Sequence, residues 1–193
     1  MDLPPSPQAR VVTAAGTSAT RAAVADAEEF RALFDRECGY VLASLRRLGV
    51  EERDCEDVGN EVFVRVYQRL ADLDRSRSAR PWLFAFCVRL ASDYRDLKRH
   101  RVERFTDHDA PASAPGPEDN LARAQAREIA ARALASLDLD KRAVFVLHDI
   151  DETPIPEVAR VLGIPEGTAY SRLRAARAGF TAAVRECLGE EGL

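Results

Sequence analysis

From Asp107 to Asp119 the chain offers nothing to bury. The stretch holds three Pro, one Gly and four acids, and no large apolar residue. Such a segment gains too little from burial to offset the entropy of ordering it, so residues 105–119 are expected to form a flexible linker. The linker divides the chain into two modules, and each must build its own core. On its N-terminal side Phe30, Leu33, Phe34, Val41, Leu42, Leu45 and Leu48 recur at helical spacing and end at Gly49. A second helix carries Val58, Val62, Phe63, Val66, Tyr67 and Leu70, with Asp57, Asn60, Glu61, Arg65 and Gln68 on the opposite face. After a polar loop over residues 72–80, Pro81 opens a third helix running to about Arg99, its missing N–H costing nothing in a first turn. Beyond the linker, Ile129, Ala133, Leu134 and Leu137 share one helical face. Further helices are expected around residues 144–147, over 155–162 and over 166–188.

No stretch alternates like a strand, and the chain is rich in Ala, Arg, Leu, Glu and Asp with only 10 Gly and 10 Pro. That composition favours helices and excludes a sandwich or barrel. The fold class expected is all-α: two small helical domains joined by a flexible linker. A disordered leader occupies residues 1–25, one domain 26–104, the linker 105–119 and the second domain 120–193. The longest apolar run, Trp82 to Val88, is seven residues, against the roughly 20 that a membrane span needs. With no apolar segment behind Arg10 either, the expectation is a cytoplasmic chain without membrane insertion. Cys38, Cys55, Cys87 and Cys187 lie at least seventeen residues apart, so no metal signature forms, and Cys38 and Cys87 sit on apolar faces as small hydrophobes.

The most specific local pattern lies near the C-terminus. Val158, Ala159 and Leu162 form one apolar face, Gly163 turns the chain, Ile164 plugs the core, and Pro165-Glu-Gly-Thr168 starts a new helix. This is a helix-turn-helix, whose second helix suits a DNA major groove. From Tyr170 to Arg185 that helix carries four Arg and no acid, in a chain whose net charge is −4. Tyr170, Ser171, Arg172, Arg174 and Arg177 are its exposed candidates. Arginine binds guanine O6/N7 or phosphate, and Thr168 and Ser171 can donate to phosphate. A second basic patch, from Arg95 to Arg104, has five Lys/Arg against two acids. It follows the aromatic run Trp82-Leu-Phe-Ala-Phe86, and rings beside cations suit stacking on single-stranded bases. No phosphate loop, catalytic triad or ligand pair appears; His148, Asp149, Asp151 and Glu152 read as a helix end. No enzyme, cofactor or metal site is expected.

Three segments, in order, resemble the extracytoplasmic-function (ECF) group of RNA polymerase sigma factors. Glu56-Asp57-Val-Gly-Asn60-Glu61-Val-Phe63-Val-Arg65 is similar to the family's E-D-hydrophobic-x-Q-E-x-F-x-R segment. Trp82-Leu83-Phe84, with Asp93 further on, resembles its W-L-[YF] segment, and Leu162-Gly163 through Ser171-Arg172-Leu173 its L-G-x-x-x-G-T-V-x-S-R-L signature. The likeness runs from about Phe30 to Phe180. Departures are Asn60 for Gln, Ala85 and Val88 for Arg, Arg89 for Asn, Asp138 for Pro, Ala169 for Val, Tyr170 for Lys and Ala175 for Arg. The DNA-contacting positions therefore depart more than the polymerase-binding ones, and no promoter sequence carries over.

The resemblance implies a role for each face. Glu56, Asp57, Asn60, Glu61 and Phe63 would dock on core RNA polymerase. The segment carrying Arg77, Arg80, Trp82, Phe84, Arg89, Lys98 and Arg99 would melt and read the minus-ten element of promoter DNA. Thr168, Tyr170, Ser171, Arg172, Arg174 and Arg177 would serve the minus-thirty-five element. An anti-sigma factor is the further partner implied. The alternative is a helix-turn-helix regulator that never joins polymerase; the face around Asp57 and Phe63 argues against it. On the last helix residues 170, 174 and 177 share a stripe. Arg172 stands about 200° from Arg174 at ~100° per residue, so it is expected to touch phosphate or bridge within its domain.

Overall fold

The computed structural model describes residues 14–102 and 121–190, and the side chains of 24–99 and 124–189. The expected linker, and residues 1–13 of the expected leader, lie outside the described residues. Seven α-helices are described: α1 Ala14–Leu48, α2 Cys55–Gln68, α3 Ala79–Val102, α4 Leu121–Ala135, α5 Leu139–Phe145, α6 Ile155–Leu162 and α7 Glu166–Glu190. No strand appears among the described residues.

Helix α1 corrects the expected leader, because residues 14–25 are helical rather than disordered. Six of those twelve residues are Ala, which loses no side-chain entropy in a helix. Alanine carries no apolar periodicity, so the pattern of large side chains began only at Phe30. By contacts the chain forms two compact units, residues 1–36 and 37–193, and their boundary falls inside α1. In the first, the Phe30 and Phe34 rings lie 6.5 Å apart, one turn along the helix.

In the second unit, Val41, Leu45 and Leu48 of α1 are buried with Val62, Phe63 and Val66 of α2 and Leu83, Phe84, Cys87 and Leu90 of α3. Gly59 brings α2 close to α1: a Cβ there would stand 3.0 Å from Leu42 Cδ2. Ser78 Oγ accepts from the Arg80 N–H at 3.4 Å, and α3 starts at Ala79, two residues ahead of the expected Pro81. Beyond the linker, α7 lies along α4 and α5 and packs on α6. Phe145 and Phe180 stack with centroids 4.8 Å apart. Asp138, which stands where the resemblance leads one to expect Pro, caps α5 by accepting the Lys141 N–H at 2.9 Å. Helix α5 runs into a π-helical turn, Val146–Ile150. Helix α3 also packs on α6 and α5, so elements from both sides of the linker meet within this unit.

The helix-turn-helix is built as the residues require. Gly163 has φ +66°, and the Ile164 N–H reaches back to the Ala159 carbonyl at 3.0 Å. This is a Schellman closure, which needs a left-handed residue at the turn. Ala159 is 4% exposed and Ala169 fully buried, so small side chains let α6 and α7 approach.

Candidate functional site

Helix α7 buries Ala169, Leu173 and Ala176 and leaves the opposite stripe outward. Tyr170 is 57% exposed there, and Arg174 beside it is exposed with no ion pair to a described residue. Two other arginines are occupied. Arg172 Nη2 donates to Asp140 Oδ2 at 2.5 Å, the bridge within the domain that its angular position allowed. Arg177 grips Asp149 with two bonds, Nε to Oδ2 at 2.9 Å and Nη2 to Oδ1 at 2.6 Å. Those bonds, chiefly the side-chain donation from Arg177, hold the Asp149 carboxyl below its ordinary value. Ser171 Oγ donates to the Thr168 carbonyl at 2.9 Å, and Ser171 stays exposed while Thr168 is half-buried. On the outward stripe of α7, Tyr170 and Arg174 thus stand clear, with Arg177 aligned but tied.

On α2, Glu56, Asp57, Asn60 and Glu61 are all exposed. Glu61 accepts from Arg65 Nη2 at 2.5 Å, and Val64 and Tyr67 extend the same helix's surface at 56% and 50% exposure. Phe63 does not belong to that surface. It is 4% exposed and supports the helix from the core, so the expected polymerase contact is corrected to a structural one.

The segment of residues 72–101 is divided in the same way. Phe84 has no exposed surface in this structure, so the expected stacking ring is here a core residue. Most of the run Trp82–Val88 is buried, and α3 packs on both α2 and α6. Trp82 keeps a half-exposed ring, edge-on to Phe86 at 4.9 Å. Arg77 pairs with Asp74 at 3.3 Å and Arg99 with Asp96 at 3.2 Å, and Lys98 pairs with Glu51. Arg80 is held by Glu37 at 2.9 Å and lies over the Tyr40 ring. Arg89 is exposed and joins Arg65, Gln68, Arg69 and Phe86 around a groove of about 240 Å³. Arg65 and Gln68 come from the polar face expected on α2, whereas Arg69, just past the end of that helix, carried no sequence signal.

Several polar groups without a sequence signature are also placed. Tyr40 Oη donates to Asp151 Oδ2 at 2.6 Å and Tyr94 Oη to Asp54 Oδ2 at 2.6 Å. Burial, then the bond to Asp151, raises the Tyr40 hydroxyl's pKa. Arg142 is 4% exposed, donating from Nη2 to the Ala135 and Leu137 carbonyls at 2.7 and 2.9 Å. Burial first, then repulsion from Arg95, brings its guanidinium down to about 10. Burial pushes the Cys55 and Cys87 thiols up to about 11 and 12, so neither is a nucleophile near neutral pH. Cys38, expected inside, is half-exposed.

Residues 127–178 match the family model described as Sigma-70, region 4. The chain is 32% identical over 173 residues to RNA polymerase sigma factor NccH of Alcaligenes xylosoxydans xylosoxydans, covering 85% of this chain and 91% of that one. It is 34% identical over 154 residues to ECF RNA polymerase sigma factor SigL of Mycobacterium tuberculosis, covering 79% and 86%. The chain belongs to the ECF RNA polymerase sigma factors. Among solved structures, the sigma factor is similar to CnrH in its complex with the cytosolic domain of CnrY. The TM-score is 0.59 at 31% identity, over 87% of this chain and 95% of that one. It shares its fold with RpoE of Bartonella quintana, solved with the anti-sigma factor NepR, at TM-score 0.62 and 18% identity over 82% and 98% of the chains. In this sigma factor both α7 clamps, Arg172–Asp140 and Arg177–Asp149, lie inside the region 4 match.

Proposed function

We propose that this sigma factor binds core RNA polymerase through the α2 face of Glu56, Asp57, Asn60 and Glu61 and directs promoter-specific initiation. Residues 26–104 form the module that holds polymerase and the minus-ten element; residues 120–193 form the module that reads the minus-thirty-five element. The observation that carries the reading is the pairing of two surfaces in one chain. An outward amide-and-acid face on α2 supports no core, and Tyr170 with Arg174 stands outward on a helix-turn-helix. A regulator working on duplex DNA alone uses the second surface and has no need of the first. The chain acts in the cytoplasm as a non-catalytic subunit, and an anti-sigma factor of the kind seen with RpoE is a partner.

At the downstream element, Trp82 supplies the ring for stacking, and Arg89, Arg77 and Arg99 supply cations at the surface. At the upstream element Arg174 reads a base edge, and Arg172 and Arg177 fix the helix that presents it. The test is reconstitution with core polymerase and a genomic DNA library, scoring start sites that need the protein. Dependent start sites are expected. Their absence, with tight specific duplex binding by the free protein, would replace this reading with the regulator.

A further inference from the structure

Polar groups near the C-terminal end of α1 and beyond the linker form one connected network. Glu37, 6% exposed, accepts from Arg80 Nε at 2.9 Å, and the Arg80 guanidinium lies 5.1 Å from the centroid of the Tyr40 ring. The Tyr40 hydroxyl donates to Asp151 Oδ2 at 2.6 Å, and Arg47 Nη1 donates to Asp151 Oδ1 at 3.3 Å. The Asp151 side chain is 13% exposed, so these bonds are shielded from water and salt. Polymerase binding and promoter reading as proposed above use neither Tyr40, Arg47 nor Asp151. The network nevertheless occupies Arg80, one of the cations assigned to the minus-ten segment. On the same side α6, the first helix of the helix-turn-helix, packs against α3, which carries Trp82 and Arg89.

DNA geometry forbids this arrangement on a promoter. Elements named minus ten and minus thirty-five lie about 25 base pairs apart, or roughly 85 Å of duplex at ~3.4 Å per pair. Helices packed side by side stand only about 8–10 Å apart. The two reading surfaces cannot reach both elements while α3 and α6 touch. We propose that Asp151 is a latch that holds the two modules in a closed form unable to engage a promoter. That the closed form is barred from a promoter rests on the proposed function; the Asp151 contact across the modules does not.

The same interface contains an opposing element. Arg142 Nε and Arg95 Nη1 are buried and make no hydrogen bond among the described residues. Arg95 lies on α3 and Arg142 on α5, helices in contact, so two like charges meet where the modules close. Attraction at Asp151 and repulsion at Arg95 and Arg142 give a two-state element that a modest binding energy can shift.

The experiment uses the full chain in two latch-breaking forms, Asp151→Asn and the double variant Tyr40→Phe with Arg47→Met, and one latch-strengthening form, Arg95→Met. Thermal unfolding establishes that each is folded, and the double variant stands in should Asp151→Asn fail. Small-angle scattering reads the radius of gyration, and titration of the complex with core polymerase reads affinity for a promoter duplex. Both latch-breaking forms should expand and, with core polymerase, bind the promoter duplex more tightly, by up to about tenfold if the closed form holds nine molecules in ten. Arg95→Met should do the reverse. Unchanged scattering in both latch-breaking forms overturns the latch; expansion with unchanged affinity overturns its regulatory role. Expansion without any polymerase binding, by wild type or variant, supports the latch and overturns the proposed function instead.

Discussion

At the scale of single residues, three arginines of α7 divide their labour by what already holds them. Arg172 and Arg177 spend their donors on Asp140 and Asp149, whereas Arg174 points outward without an acid. Arg174→Ala should therefore cost ~1–3 kcal/mol on the preferred promoter and relax preference at one upstream base pair. Arg172→Ala should weaken all promoters alike and lower stability by about 0.5 kcal/mol, as an exposed pair does. Transcription from a promoter library randomised upstream separates the two; altered preference from Arg172→Ala alone would show the helix rotated. Asp149 adds a pH signature. Its carboxyl titrates below the ordinary 3.8 because Arg177 donates to it. The unfolded chain then takes up that proton before the folded one, so the stabilisation is whole above the ordinary carboxylate range and fades as pH falls through the lowered value. The melting-temperature gap between wild type and Arg177→Gln should hold from about pH 7 to about pH 5 and close toward about pH 3. Angular arithmetic along one helix foretold the bridge at Arg172. The clamp at Arg177 was illegible, because Asp149 is 28 residues away and meets it only after α5 and α7 pack. Phe63 and Phe84 failed for a different reason: a motif fixes residue type, and both rings turned inward.

Individual elements were more legible than their side chains. Helix α6 and the turn at Gly163 came out where the apolar face and the glycine placed them, since a Schellman closure is a local matter of backbone. Gly163→Ala should accordingly destabilise by ~1 kcal/mol, from its φ of +66°, with no clash to add because nothing lies within 4 Å of the new Cβ. Urea unfolding reads it, and an unchanged midpoint would contradict the left-handed turn. The π-helical turn after α5 had no such local signal. On α2, Asp57→Ala with Glu61→Ala should abolish capture of core polymerase while the circular dichroism and melting temperature barely move, since exposed changes alter stability by only about 0.5 kcal/mol. Retained capture would remove α2 from the interface. Helix α1 was half legible: large apolar residues announced Phe30 to Leu48, whereas the alanines before them form helix by propensity alone.

For the molecule as a whole, the acidic balance sets how it meets DNA. With a net charge of −4, and Arg77, Arg80, Arg99, Arg172 and Arg177 already paired to acids, the free protein should bind duplex weakly and lose that binding steeply with salt. Polymerase changes this by tethering, because the second contact becomes intramolecular once the first forms. Fluorescence anisotropy of a promoter duplex across a salt series checks it; tight binding by the free chain at physiological salt would refute it. Trp82 gives the same molecule an optical asymmetry. It is the chain's sole tryptophan, and its ring stands half-exposed at the edge of Phe86 on α3. Indole emission selectively excited in the unlabelled protein comes from one module alone. A base settling on the ring would quench it, whereas duplex held only at Tyr170 and Arg174 would leave it bright, so the order in which the two elements engage can be timed without attaching a dye.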